Sequence, residues 1–481
     1  MPIKRYVANA DNTITNAFKS NLTTRGTGSN MGASDILEVF SIYGQTSSSV
    51  GYSTEESRAL LNFPISTISS DRTSNYIPAI GSVSFYLKLY NAIHATTTPD
   101  QFTLVVAPIS RSWTEGSGLD MDEYADLGFS NWISASSTAG WVAQGGDFLT
   151  GSGASTGSQF FDLGTEDLEV DVTTQVERWI AGTTSSNGFG VFLTQSQAAD
   201  TRSYYTKKFF GRDSEYKLWR PHIEARWNSQ IADDRGNFVV SSSLLSTENL
   251  NTIYLYNLRN NRPVNIPTIG TGNLYVKVYE TLGGSAITLP LGGGVVSGNP
   301  TVVTGGWVST GVYSASFAYT GTASTIYDVW QSSSTIFHTG TIYPETYAAT
   351  GYSGYNNFVL NIKNAQTQYY INDKPKFRLY VREKDWSPTI YTVASTEIES
   401  SIIEKAYYRL FRVQDSFEVV PYGTGSTEHT LLSFDVSGNY FDFDMSLLEK
   451  GYMYGFKFAF DLEQNGQLQE QPYVFKFRVE E

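Results

Sequence analysis

Along most of this chain hydrophobic and polar residues alternate with a period of two. In SVSFYLKLY, Val83, Phe85, Leu87 and Leu89 alternate with Ser84, Tyr86, Lys88 and Tyr90. That pattern predicts a strand with one face in a core and one toward solvent. Similar strands are predicted at Ile36–Ile42, Ala59–Ile65 and Phe102–Ile109. Later ones fall at Tyr275–Tyr279, Gly311–Gly321, Ile326–Trp330, Phe377–Val381, Tyr407–Val413, Phe417–Val420 and Leu431–Phe434. The chain closes on an aromatic pair, Tyr452–Phe460 and Tyr473–Val479, with Asn465-Gly466 as its turn.

One stretch breaks the pattern. In Asp171–Leu193, DVTTQVERWIAGTTSSNGFGVFL, the residues Val172, Val176, Trp179 and Ile180 recur on one face of a helix. Asp171 is placed to cap the first turn, and Gly182 to take the left-handed position after the last. Asn187-Gly188 then turns the chain into a buried strand. A short helix with a buried tryptophan is therefore expected within a chain of strands.

Two polar joints divide the sequence, SQIADDRG (Ser229–Gly236) and AATGYSG (Ala348–Gly354). They predict a first domain over 1–230, a second over 237–347 and a third over 352–481. Short strands separated by glycine pairs such as Gly283-Gly284 and Gly305-Gly306 indicate sandwiches in the later regions. The expected fold class is all-β: an N-terminal jelly-roll sandwich with one short helix, then two immunoglobulin-like sandwiches.

Composition agrees. The 481 residues include 32 tyrosines and 28 phenylalanines, with charged residues only 17%, a mixture suited to sheets. The net charge of −14 repels phosphate backbones, so nucleic acid is not an expected partner. With no cysteine, disulfides, thiol catalysis and cysteine–metal sites are excluded. The N-terminal MPIKRYVANADNTITNAF is too polar for a signal peptide, and no apolar run approaches the ~18 residues of a membrane span. Assembly in a cytoplasm, without a membrane partner, is the expectation.

The first region also carries a resemblance. Asn30-Met31-Gly32 precedes DILEVFSI. RALLNFPIS, VSFYLKLY, WTEGSG (Trp113–Gly118), Trp132, WVAQGGDF (Trp141–Phe148), the helix with Trp179 and GRDSE…RPHIEARW then follow in order. Over about Asp11–Trp227 this order resembles the DNRLRE-type carbohydrate-binding module, which implies a jelly roll with one helix. The Ser/Thr/Gly/Asn/Tyr-rich texture of the whole chain, with ADNTITNAFKSNLTTRGTGSNMGASDILEVFSIYG and GVYSASFAYTGTASTIYDVW in particular, resembles virion structural proteins of tailed phages.

Candidate chemistry is sparse. Gly153–Gly157 matches G-x-S-x-G around Ser155, without the strand and helix a nucleophile elbow needs. The four histidines, His94, His222, His338 and His429, form no metal-binding pair. They are read as solvated or core residues, His94 and His429 in polar loops. Asp120, Asp122, Glu123 and Asp126 form an acidic loop that could hold calcium, although the spacing is not that of an EF-hand; a solvated loop is the plainer reading. Asp442 and Asp444 share a strand face; paired carboxylates can do acid–base work on glycosides, but the flanking alternation reads as a solvent-exposed face. The glycine-rich Gly26–Gly32 and Gly292–Gly298 lack the lysine of a phosphate cradle and are read as turns. Trp113, Trp132 and Trp141, in or beside long loops, are the candidate platform for stacking on sugar, against the alternative that they fill a core.

Three functions follow as expectations. The first is a non-enzymatic structural component of a tailed-phage virion, at head, neck or tail, working through contacts with other virion proteins and with copies of itself. The second is an adhesin gripping host glycan through the loop tryptophans. The third, an enzyme, has no visible catalytic constellation behind it, and no cofactor beyond calcium is implied.

Overall fold

The computed structural model describes residues 2–48, 51–94, 99–149, 154–200, 204–241, 249–346, 358–384, 400–462 and 468–481. The fold is all-β. Contacts divide the chain into two compact units. The first is Met1–Asn228 with two short later segments, Gly425–His429 and Ser446–Glu449; the second is the rest, beginning at Ser229. Among the described residues no helix is long and apolar enough to cross a membrane.

The first unit is built from two antiparallel sheets. One runs in the order Ile3–Val7, His222–Arg226, Ser84–Leu89, Leu168–Asp171. The other runs Tyr205–Phe210, Ile36–Ser48, Gly51–Asn62, Phe189–Leu193, Phe102–Pro108, Gly157–Phe161, with Ala10–Thr15 also paired to Gly51–Asn62. Phe85, Leu87, Leu89 and Ile223 from the first sheet meet Leu61, Phe102, Val106 and Val191 from the second in one core.

The other face of Ser84–Leu89 departs from expectation: Lys88 is only 9% exposed, and Tyr90 beyond the strand is buried too. The face the alternation assigned to solvent is a covered layer of charge. Arg5 Nε donates to Glu224 Oε2 (2.6 Å) and Arg226 Nε to Glu224 Oε1 (2.7 Å). Arg226 Nη1 donates to Glu169 Oε1 (2.6 Å), and Lys88 Nζ stands 2.9 Å from Glu169 Oε2. A period of two identifies the polar face without saying whether it is wet.

Helix α2 (Thr173–Ile180) lies where the periodicity placed it. Val176 and Trp179 are buried, and the Trp179 ring packs 4.6 Å from Phe189. Val172 occupies the N-cap, one residue later than expected, and the Asp171 carboxylate accepts from Thr173 N at 2.8 Å. Gly182 has the expected left-handed φ of 68°. It is not the unit's one helix. A strand expected to reach Ile65 ends at Asn62, and Pro64 opens helix α1 (Ile65–Thr73); α3 (Gln195–Ala198) is a single turn. Helix α1, ISTISSDRT, is rich in Ser and Thr and has no wide apolar stripe, so its pattern does not announce a helix. It is fixed instead by burial of Ile65 and Ile68 and by Asp71, which accepts from Tyr6 Oη (2.8 Å) and pairs with Lys4 (2.6 Å).

In the second unit, residues 251–342 contain one seven-stranded sheet, beside a small pair of strands at Leu258–Arg259 and Arg262–Pro263, and the sheet is not broken at Gly305-Gly306. Strand Asn299–Ser309 passes straight through Gly305-Gly306. It pairs with Leu274–Tyr279 up to Gly305 and with Val312–Phe317 from Gly306 on. A Cβ on Gly305 would stand 3.0 Å from the Trp330 ring, the largest buried side chain here. Glycine at that bend lets the sheet fold over Trp330, Tyr313 and Phe317.

Residues 358–481 contribute a four-stranded and a six-stranded sheet. Phe377 and Phe441 of the first pack on Phe456 of the second, with centroids 5.2 Å apart in each case. Phe441 and Phe443 are buried, Asp442 is exposed and Asp444 pairs with Lys374 at 2.7 Å, the solvent face the alternation implied. The joint at 348–354 and the Asn465-Gly466 turn lie outside the described residues.

Candidate functional site

The segments that carry the family resemblance converge in the first unit. Asp11 N donates to Glu115 Oε1 (2.7 Å), and Arg212 N to Asp11 Oδ2 (2.6 Å). The Arg212 guanidinium forks onto both oxygens of Glu115, at 3.1 and 3.2 Å, and Asp213 flanks it. Asn12 Nδ2 donates to Ser130 O and Oγ. Asn30 donates to the carbonyls of Glu115 and Ser130 and accepts from Gly32 N and Gly118 N.

The glycines of this junction are forced. A Cβ on Gly32 would meet Glu115 O at 2.5 Å, and one on Gly118 would meet Asn30 O at 1.8 Å. The motif residues Asn30, Gly32, Glu115, Gly116 and Gly118 are therefore those that let two loops touch backbone to backbone.

Chemically the junction is a clamp. Burial pushes the Asp11 carboxyl up to about 7, against the Arg212 amide, which pulls it down, and the charge of Glu115, which adds to the rise. A carboxyl near neutrality suits an acid–base group. Asp11, however, is 1% exposed, and its Oδ2 and both Glu115 oxygens already accept from the protein itself.

The three candidate stacking rings are not a platform. Trp132 (4% exposed) and Trp141 (8%) form a second, smaller core with Ile14, Leu60, Ile109 and Ala135, on which Trp113 and Phe148 pack. Trp141 Nε1 donates to Asn131 O (2.8 Å) and the half-buried Trp113 Nε1 to Asn187 O (2.9 Å). The Arg58 guanidinium lies 5.0 Å from the Trp132 ring centre. The long loops return to the sheet and deliver the rings of Trp132 and Trp141 to it, where they pack on side chains.

The acidic loop does not assemble a cation site either. Asp120 Oδ1 accepts from the amides of Asp122, Glu123 and Tyr124 at 2.8–3.1 Å, and these bonds hold its carboxyl below its ordinary value, the Tyr124 amide most of all. Asp126 Oδ2 accepts from Ser117 N and Oγ. Asp122 and Glu123 are exposed. Among the described residues no three His, Asp or Glu side chains gather as a metal site. The calcium reading gives way to a self-capped turn.

Ser155 precedes the strand Gly157–Phe161, so no helix follows it as an elbow requires; Gly153 lies outside the described residues. His429, expected in a polar loop, is 4% exposed, and His222 2%. Burial above all pushes His222 down to about 3 and His429 to about 4. Both are neutral rings near pH 7, so the 3.9 Å approach of His222 to Glu224 is not an ion pair. Burial pushes Glu224 up, but the charges of Arg5, Lys88 and Arg226 outweigh it and hold the carboxyl well below its ordinary value.

What the loops do offer outward is apolar. Leu119 (50% exposed), Tyr124 (61%), Leu127 (69%) and Val142 (83%), with Phe129 and Ile133, stand exposed along residues 119–142. Leu119 N bonds to Tyr124 O and Trp141 N to Ile133 O, so this stretch is held in shape. Beside it Val142, Phe148 and the Arg111–Asp147 pair (2.9 Å) line an open groove of 620 Å³. The sequence signal lies in GLDMDEYADLGFSNWIS, where apolar residues recur in a loop among carboxylates.

No family model and no curated protein matches the chain. Among solved structures, the adhesin InvE of Yersinia pseudotuberculosis aligns at 14% identity over 48% of this chain and 55% of its own, with a TM-score of 0.15. A tetra-tandem repeat from the extending region of a large adhesion protein aligns at 8% identity over 95% and 97%, also at 0.15. Salmonella alpha-2-macroglobulin reacted with methylamine aligns at 8% identity over 99% of this chain and 26% of its own, again at 0.15. The chain thus spans about half the length of the first and a quarter of the last. At these scores the likeness bears on neither fold nor function.

Proposed function

We propose that this chain is a non-enzymatic structural component of a tailed-phage particle, at the head, neck or tail, acting through contacts with other virion proteins and with copies of itself. The observation that carries the reading is the set of exposed apolar side chains on residues 119–142, edged by the exposed carboxylates of Asp122 and Glu123. Apolar groups at the centre with charge at the rim is the anatomy of a protein–protein interface. The acidic rim commits the partner to a protein surface with an apolar centre ringed by Lys or Arg. Two of the three rings that a sugar would stack on, Trp132 and Trp141, are buried and Trp113 is half-buried, and the junction carboxylates are bonded to the protein's own donors, which favours this reading over glycan binding.

The test is binding of the purified chain to particles or particle proteins that lack it. Leu127→Asp with Val142→Asp should weaken binding about tenfold or more, as loss of central apolar contacts does, while the unfolding curve stays put because both side chains are exposed. Added salt should weaken it further. Failure of the wild-type chain to bind any virion protein, or unchanged binding by the double variant, would overturn the proposal. So would selective capture on a glycan array that the double variant retains.

A further inference from the structure

Lys207 is the most completely buried cation of the described chain, at 0% exposure, although it lies on the edge strand Tyr205–Phe210. Its Nζ donates to Asn91 Oδ1 (2.7 Å), Gly164 O (2.9 Å) and Glu166 O (2.7 Å). It stands 5.0 Å from the centre of the Phe161 ring and 5.2 Å from that of Phe209. Among the described residues no carboxylate oxygen is one of its hydrogen-bond acceptors. A charge enclosed by rings and neutral carbonyls is costly to keep, and burial pushes the amine down to about 8. That favours a fraction of free amine, which is the nucleophilic form of lysine.

The group it touches is a carboxamide, whose carbon lies one bond beyond the oxygen already in contact. Two carboxylates are at hand. Asp167 Oδ1 accepts from the backbone N of Asn91 (2.7 Å), and its charge acts on Lys207. Glu166 Oε2 is buried with no hydrogen-bond partner among the described residues.

We propose that Lys207 and Asn91 form an intramolecular amide cross-link between Nζ and Cγ. The ammonium gives a proton to Asp167, and the free amine attacks Asn91 Cγ. The new C–N bond forms as the bond from Cγ to the side-chain nitrogen breaks. The departing nitrogen takes the proton that the attacking nitrogen sheds and leaves as ammonia, and Asp167 passes the ammonium's original proton on to it, so that the products are the secondary amide, ammonium and the Asp167 carboxylate. Nothing is oxidised or reduced, and no co-reactant is needed. The rings keep water from competing for the carbonyl.

The placement gives the bond a purpose. Asn91 lies two residues beyond Ser84–Leu89 of the four-stranded sheet, and Lys207 is on an edge strand of the seven-stranded one. They are 116 residues apart in sequence. The cross-link staples the two layers of the sandwich together, in a chain whose lack of cysteine rules out a disulfide.

Mass spectrometry of the intact purified chain, followed by a tryptic map, decides the matter. The expected result is a mass one ammonia below that of the sequence. The map should show one branched peptide joining the segments of Lys207 and Asn91, uncut at Lys207, as the dominant form. Lys207→Met and Asn91→Ala should each restore the full mass and lower the Tm. Cyclisation at Asn187-Gly188 or Asn465-Gly466 also releases ammonia but leaves no branch, so a mass deficit without the branched peptide overturns the proposal. Linear peptides with free Lys207 and intact Asn91 as the dominant species in the wild-type map overturn it whether or not the variants fold.

Discussion

Gly118 has no room for a side chain, since a Cβ there would stand 1.8 Å from a backbone oxygen, whereas one on Gly298 would meet nothing within 4 Å. Gly118→Ala is expected to destabilise the first unit by about 1–3 kcal/mol or more, as forced overpacking does, while Gly298→Ala leaves stability unchanged. Urea denaturation followed by tryptophan fluorescence checks both, and an equal effect of the two would contradict the clamp. Asp11 makes a second test at this scale. Its carboxyl sits near 7 in the fold against an ordinary 3.8, so the folded state holds the proton more tightly. Its contribution is full below pH 3.8 and is lost as pH rises to about 7. Asp11→Asn, neutral at every pH, should remove that slope. Unfolding free energies of the two proteins should therefore diverge between pH 4 and 7, and parallel profiles would show the carboxyl to be ionised throughout. None of this was legible in the sequence. Asn30-Met31-Gly32 and WTEGSG could be picked out as motifs, but spacing does not say that their backbones touch.

At the scale of elements, what could be read was periodicity with a buried partner. Val176 and Trp179 announce α2 because a helix face and a core coincide there. Helix α1 escaped because Ser and Thr carry it, and because its anchors, Tyr6 and Lys4 to Asp71, come from a distant strand. The four-stranded sheet escaped in a subtler way. Its alternation was correct, yet Lys88, Glu224 and Arg226 on the polar face are covered, because opposite charges arrive from four adjacent strands to satisfy one another. Breaking such a set is costlier than never having made it. Glu224→Gln leaves Arg5 and Arg226 facing a neutral amide, and a loss of about 3–5 kcal/mol is expected. Glu169→Gln, at a side chain 40% exposed, should cost much less. Thermal unfolding of the two variants ranks them, and a reversed order would mean that water reaches Glu224.

For the whole molecule, strand alternation announced the all-β fold class, but not the composition of the first of the two compact units. Gly425–His429 and Ser446–Glu449 belong to it although some 200 residues of chain intervene. Proximity across such a gap leaves no local pattern. Within the unit His429 is buried, and burial first, then the charge of Arg226, drives it down to about 4. Leu218 N donates to Glu449. A fragment ending at Asn228 therefore lacks part of its own unit, and its layer of charge on Glu224 and Arg226 is opened where those segments lay. The fragment should fold, since its main core lies entirely within Met1–Asn228, but with a lower Tm than the same unit in the full chain. The loss should be concentrated in faster amide exchange along His222–Arg226 and Ser84–Leu89. Acidification should narrow the gap. His222 and His429 both have folded values below the ordinary 6.5, so the stability they lend is present above 6.5 and falls toward pH 3–4. The fragment has lost one of the two. Hydrogen exchange at pH 7 and pH 5 on both forms checks the argument, and equal protection of those strands at pH 7 would refute it.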